Sequence, residues 1–76
     1  MMILSELLKT LRTRMLMSQE TFAKEMNVTA CTINRWENGK SKPNITAINT
    51  IKAFCNKNNI AFEEIENAWH EVNRNG

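Results

Sequence analysis

A chain of 76 residues with 42% hydrophobic content and a net charge of +2 has room for one thin-cored domain, taken here as residues 1–76. Two Gly and one Pro leave few interruptions and favour helices over many short strands. Cys31 and Cys55 stand without a CxxC pair or grouped histidines, which argues against a disulfide framework and a zinc site. With no Asp, a single His and no glycine-rich loop, the residue types for an enzyme are missing, and no catalytic residue, cofactor or metal is expected. No apolar run approaches the length of a membrane span, and the first residues lack the basic segment and cleavage site of a signal peptide. A soluble cytoplasmic protein with no membrane partner is therefore expected.

In chain order, Leu4, Leu7, Leu8, Leu11 and Met15 repeat at helical spacing and predict a first amphipathic helix. Ser18 is placed to cap a second helix that turns Phe22, Ala23 and Met26 inward, with Glu20 near its positive end. Asn27 tolerates the left-handed conformation that would stop it. Thr29 caps again almost at once, and a third helix with Ile33 and Trp36 inward runs to Asn38, where Gly39 suits a helix end. Lys40, Ser41, Lys42 and Pro43 form a basic connection. Asn44 then caps a fourth helix expected to bury Ile45, Ile48, Ile51 and Cys55, with Phe54 beside them. Asn56 to Asn59 reads as a polar break, and Phe62, Ile65, Ala68, Trp69 and Val72 space out as a fifth helix. The fold class expected is all-α, with five helices.

Charge is unevenly placed. Residues 1–43 carry seven Lys and Arg against four Glu, whereas residues 44–76 carry three against four. A basic front and an acidic back fit a polyanion on one side, or two ordinary solvated surfaces.

The second and third helices, joined by about three residues, must cross steeply, and Ala23 permits close approach there. With Ile33 and Trp36 inward, the outward face of the third helix holds Ala30, Cys31, Thr32, Asn34, Arg35 and Asn38. Small side chains near its start, followed by donors, suit a helix that enters the major groove of DNA. Arg35 can pair with guanine O6 and N7, Asn34 with adenine, and Thr32 offers a methyl group or a hydroxyl.

The stretch SQETFAKEMNVTACTINRWENGKSKPN resembles the helix-turn-helix of the phage repressor and Cro family, of the XRE type, with its small bacterial relatives. The matching residues are Gln19, Ala23, Val28, Thr29, Ile33, Glu37, Asn38 and Gly39; Leu11, Arg12, Ile48 and Ile51 also fit, so the likeness covers roughly residues 3–72. The resemblance implies a five-helix lambda-repressor-like DNA-binding domain whose helix-turn-helix spans about residues 18–38. It implies that Ala30, Cys31, Asn34 and Arg35, with Thr32 close by, face the bases. Gln19, Thr29, Asn38, Lys40 and Lys42 would then contact phosphate, and Arg12 with Glu37 would form an ion pair between the first and third helices. A bacterial or phage-encoded transcriptional repressor acting as a homodimer on an inverted-repeat operator follows, or an antitoxin-type module that also holds a toxin or another protein partner. Three departures stand out: Asn27 and Leu16 occupy positions where glycine is common, and Ala30 and Cys31 replace longer polar side chains. The loop Asn56–Asn59 also looks longer than usual.

Each site residue has a plainer reading beside the functional one. Arg12 and Glu37 are either a partly buried pair or surface charges, and Lys40 and Lys42 either meet phosphate or only solubilise a loop. Cys31, near a helix start, is either a redox-sensitive thiol or a small contact residue; Cys55 belongs to the core and His70 faces solvent. Trp69 and Val72 either close the core or form a dimer contact.

Overall fold

A computed structural model describes residues 3–73, and among them lie five α-helices and no strand. They are α1 (Leu4–Arg14), α2 (Gln19–Met26), α3 (Ala30–Glu37), α4 (Ile45–Lys57) and α5 (Glu63–Asn73). Three of the expected caps form as hydrogen bonds. Ser18 Oγ accepts from the Thr21 amide at 3.1 Å, Thr29 Oγ1 from the Thr32 amide at 3.2 Å, and Asn44 Oδ1 from the Ala47 amide at 2.8 Å. Each hydroxyl or carbonyl thereby satisfies a backbone N–H that the first helical turn leaves without a partner.

The first four helices end in one common way. A residue in the left-handed region follows the last turn, and the next residue's amide reaches back five positions, the Schellman arrangement. The left-handed residues are Leu16 (φ 58°), Asn27 (φ 62°), Gly39 (φ 71°) and Asn59 (φ 57°). The closing bonds run from Met17 N to Arg12 O, Val28 N to Ala23 O, Lys40 N to Arg35 O, and Ile60 N to Cys55 O, at 2.8–3.2 Å. Met17, Val28 and Ile60 also tuck against the core, so three of these four turns are pinned by an apolar contact as well as by a hydrogen bond.

All five helices contribute to one cluster of buried side chains. Leu4, Leu7, Leu8 and Leu11 come from α1, Phe22, Ala23 and Met26 from α2, Ile33 and Trp36 from α3, Ala47, Ile48, Ile51, Phe54 and Cys55 from α4, and Ile65 from α5. Phe22 and Phe54 meet edge to face with ring centres 5.8 Å apart, which ties α2 to α4 at the centre.

Two expectations about α4 are corrected. Ile45 is 61% exposed, and Ala47 takes the inward place at that end. Ile45 is the first residue of the helix, and its Cα–Cβ bond tilts toward the N-terminus, away from the packed turns. The polar break is also shorter than Asn56–Asn59. Asn56 and Lys57 stay helical, Asn58 caps the end, and Asn58 Nδ2 bonds the Phe54 carbonyl at 2.8 Å. An exposed polar run does not stop a helix by itself; the stop comes where Asn59 can adopt positive φ.

Candidate nucleic-acid interface

α3 is built to hold its outer face still. Ile33 is fully buried and Trp36 is 4% exposed, three residues apart on the inner side. Its N-terminus carries the Thr29 cap, and the Thr29 and Thr32 hydroxyls share a further hydrogen bond of 3.0 Å. Its last residue, Glu37, is the centre of a partly buried polar knot. Arg12 grips both carboxylate oxygens, Nε to Oε2 at 2.7 Å and Nη2 to Oε1 at 3.0 Å, while its Nη1 donates to the Met17 carbonyl at 2.8 Å. Gln19 Nε2 adds a 3.2 Å bond to Glu37 Oε1. The two charged side chains are 13% and 4% exposed, so they form the partly buried pair rather than surface charges. The bond to Glu37 holds the Arg12 guanidinium even more firmly protonated than usual, outweighing the opposite pull of partial burial. One fork-shaped contact thus joins α1, the α1–α2 turn, the start of α2 and the end of α3.

Cys31, Asn34, Arg35 and Asn38 are all exposed on the side of α3 away from Ile33 and Trp36. No acidic residue lies in the first turn of this helix. Among the described residues the Arg35 guanidinium makes no hydrogen bond or ion pair, so all its donors stay available. Ala30 is half-buried and packs against the core. Thr32 is half-buried too and lines a shallow groove with Trp36, Lys42 and Asn44 at the flank facing α4.

The residues expected at phosphate are placed unevenly. Thr29 is exposed with its hydroxyl already in the cap. Gln19 is half-buried, with one amide hydrogen on Glu37. Lys40 is exposed; Lys42 is exposed as well, but its Nζ donates to the Val72 carbonyl at 3.3 Å, near the end of α5. Asn38 donates both amide hydrogens to Asn34, so a phosphate contact from this side chain would first have to break a bond.

The remaining motif residues lie away from this face. Trp69 is half-buried against the core, with Nε1 donating to the Pro43 carbonyl at 2.7 Å and its ring edge-on to His70. Val72 is 42% exposed beside Ile3, Leu4 and Ala68. Cys55 is fully buried and its thiol is pushed up by desolvation, whereas Cys31 is exposed. Sequence patterns gave no sign of the bonds that Lys42 and Trp69 make, because those join segments far apart in the chain. The Gln19–Glu37 bond likewise spans two helices, and no local spacing announces it.

A family model described as Helix-turn-helix matches residues 8–60, most of the chain and the whole of α2, α3 and α4. The chain belongs to the helix-turn-helix family, of the XRE type. It is accordingly a DNA-binding protein of the transcription-regulator kind. Neither a curated protein nor a solved structure matches it. Among the described residues no helix is long and apolar enough to cross a membrane. The matched segment contains every side chain of the α3 face and the whole polar knot of Arg12, Met17, Gln19 and Glu37.

Proposed function

We propose that this helix-turn-helix protein is a sequence-specific transcriptional repressor that reads double-stranded DNA by laying α3 in the major groove. One observation carries the reading: Arg35, Asn34 and Cys31 project into solvent from a helix whose opposite side is locked by Ile33, Trp36 and Glu37. A side chain can discriminate bases only if its backbone is fixed to within a fraction of an ångström, and this seat provides that fixity. Arg35 supplies the main base contact, a fork to guanine O6 and N7. Gln19, Thr29, Lys40 and Lys42 supply phosphate contacts around it, and with them a salt-dependent affinity common to all sequences. Lys42 would exchange the Val72 carbonyl for a phosphate oxygen, a stronger acceptor for an ammonium group.

The protein would act as a homodimer on an inverted repeat, its two α3 helices about 34 Å apart in successive grooves. Val72, exposed beside Ile3, offers the apolar part of a dimer contact, with the half-buried Trp69 three residues earlier on the same helix.

The test is selection of bound duplexes from a random pool, followed by affinity measurement for Arg35→Ala. The variant should lose about 1–3 kcal/mol on the selected site and relax the preference at one base pair. An equal loss on random DNA would remove Arg35 from base reading, and a selected site without two-fold symmetry would count against the dimer.

A further inference from the structure

Asn34 and Asn38 lie one turn apart on the exposed side of α3, and their side chains are joined. Asn38 Nδ2 is 2.9 Å from the backbone oxygen of Asn34 and 3.1 Å from Asn34 Oδ1. The first contact determines the polarity of the second. A backbone oxygen only accepts, so the atom of Asn38 that meets it must be the amide nitrogen. That nitrogen only donates, so the Asn34 atom it also meets must be the carbonyl oxygen. The ends of an exposed carboxamide are ordinarily interchangeable; here the main chain assigns both amides in sequence. The consequence is asymmetric. Asn34 Oδ1 is engaged along the helix, while Asn34 Nδ2 makes no hydrogen bond among the described residues.

We propose that Asn38 is a positioning residue that fixes the polarity with which Asn34 meets a base edge, so that Asn34 acts as a donor and prefers a keto base, guanine or thymine. In the major groove guanine O6 and thymine O4 accept, whereas adenine N6 and cytosine N4 donate. A free asparagine could serve adenine by using both of its ends, which is the pairing the sequence suggests for Asn34. With one lone pair of its oxygen held by Asn38 and that end turned along the helix, it presents its N–H groups outward, where the amino group of adenine or cytosine would meet them donor to donor. This assignment rests on the reading that α3 enters the major groove.

The full chain is carried through selection from a random duplex pool beside three variants: Asn34→Ala, Asn34→Asp and Asn38→Ala. Thermal unfolding and affinity for non-specific DNA are measured in parallel. The wild-type site should contain one position with a keto preference that Asn34→Ala flattens. Asn34→Asp keeps an oxygen for Asn38 and turns a second oxygen outward, so the same position should swing to adenine or cytosine. Asn38→Ala frees the Asn34 amide to rotate, and the keto preference should fall by about fivefold at that position alone, over and above any change shared by all sequences. If Asn38→Ala instead weakens every sequence alike and leaves that preference intact, Asn38 is only a structural cap and the proposal is overturned. An amino preference in the wild type overturns it too. If the wild type selects no sequence at all, the major-groove reading itself fails and takes this assignment with it; a selected site indifferent to both asparagines leaves that reading standing and removes this one.

Discussion

α3 and α5 are both short amphipathic helices on the same core, yet they are fastened in different ways. α3 buries Ile33 and Trp36 almost completely, carries a side-chain cap at its start and ends in a carboxylate held by three hydrogen bonds. α5 is longer but contributes only Ile65 as a buried residue, with Ala68 and Trp69 packed at its margin. Besides its packing against α1, two reciprocal bonds tie it to the loop before α4, from Trp69 Nε1 to the Pro43 carbonyl and from Lys42 Nζ to the Val72 carbonyl. Their charges differ as well. α3 shows solvent a face with Arg35 and no acid in its first turn, while α5 begins with Glu63, Glu64 and Glu66. A polyanion is attracted to the first surface and repelled by the second. The family match, residues 8–60, includes α3 and stops short of α5. The contrast teaches that a charged clamp and a side-chain cap are placed where side chains must be presented at a set angle, while the covering helix relies on packing against α1 and bonds to a loop.

The sharpest way to break this contrast is Glu37→Ala. It would leave the Arg12 guanidinium mostly buried without a carboxylate, and losing one partner of such a pair costs about 3–5 kcal/mol. The midpoint of urea unfolding should fall accordingly. Replacing both partners with apolar residues, Arg12→Met with Glu37→Leu, should cost much less, because no buried charge is then stranded. A loss below about 1 kcal/mol for Glu37→Ala would place the pair with ordinary exposed ones and remove the reason for calling α3 firmly seated.

Trp69→Ala comes next. It deletes a half-buried indole and its bond to the Pro43 carbonyl, and should cost about 2 kcal/mol, less than a fully buried tryptophan would. The effect should be local. Native-state hydrogen exchange should show amides of α5 losing protection while those of α3 keep theirs. Equal loss in both helices would mean that α5 and α3 open as one unit, and the contrast between them would not stand.

Much of this was legible in the sequence, and the reason is that local rules dominate here. Ser18, Thr29 and Asn44 are capping residues at helix starts, Asn27 and Gly39 tolerate positive φ, and the apolar residues of α1, α2 and α3 recur at a period that admits one inward face. The misreadings arose where local pattern competes with neighbours. Ile45 continues the apolar stripe of α4 but lies at an end with nothing to cover it, and Asn56 and Lys57 look like a break yet extend a helix already formed. The Asn34–Asn38 bond was present in the sequence as an i, i+4 pair of polar residues on one helix, a spacing at which such side chains meet. The clamp between Lys42, Trp69, Pro43 and Val72 was not, because only the tertiary fold brings α5 beside that loop.

The smallest expected effect, and the one of opposite sign, concerns the turn between α1 and α2. Four turns of the chain share one backbone shape, and at three of them the left-handed place is filled by Asn or Gly, which adopt it readily. At the fourth stands Leu16, with φ 58° and 93% of its surface exposed. Its side chain therefore gains almost nothing from burial while its Cβ bears the steric penalty of that conformation, on the order of 1–2 kcal/mol. Glycine would remove the penalty but add some freedom to the unfolded chain, so Leu16→Gly should stabilise the protein by a net ~1 kcal/mol and raise the unfolding midpoint by several degrees. The bonds from Met17 N and Leu16 N to the end of α1 do not depend on the side chain and should persist, leaving α3 and its DNA affinity where they were. A midpoint that falls instead would mean that the leucine is supported by contacts its exposure does not reveal, and that the α1–α2 turn, like the seat of α3, is held by more than its backbone.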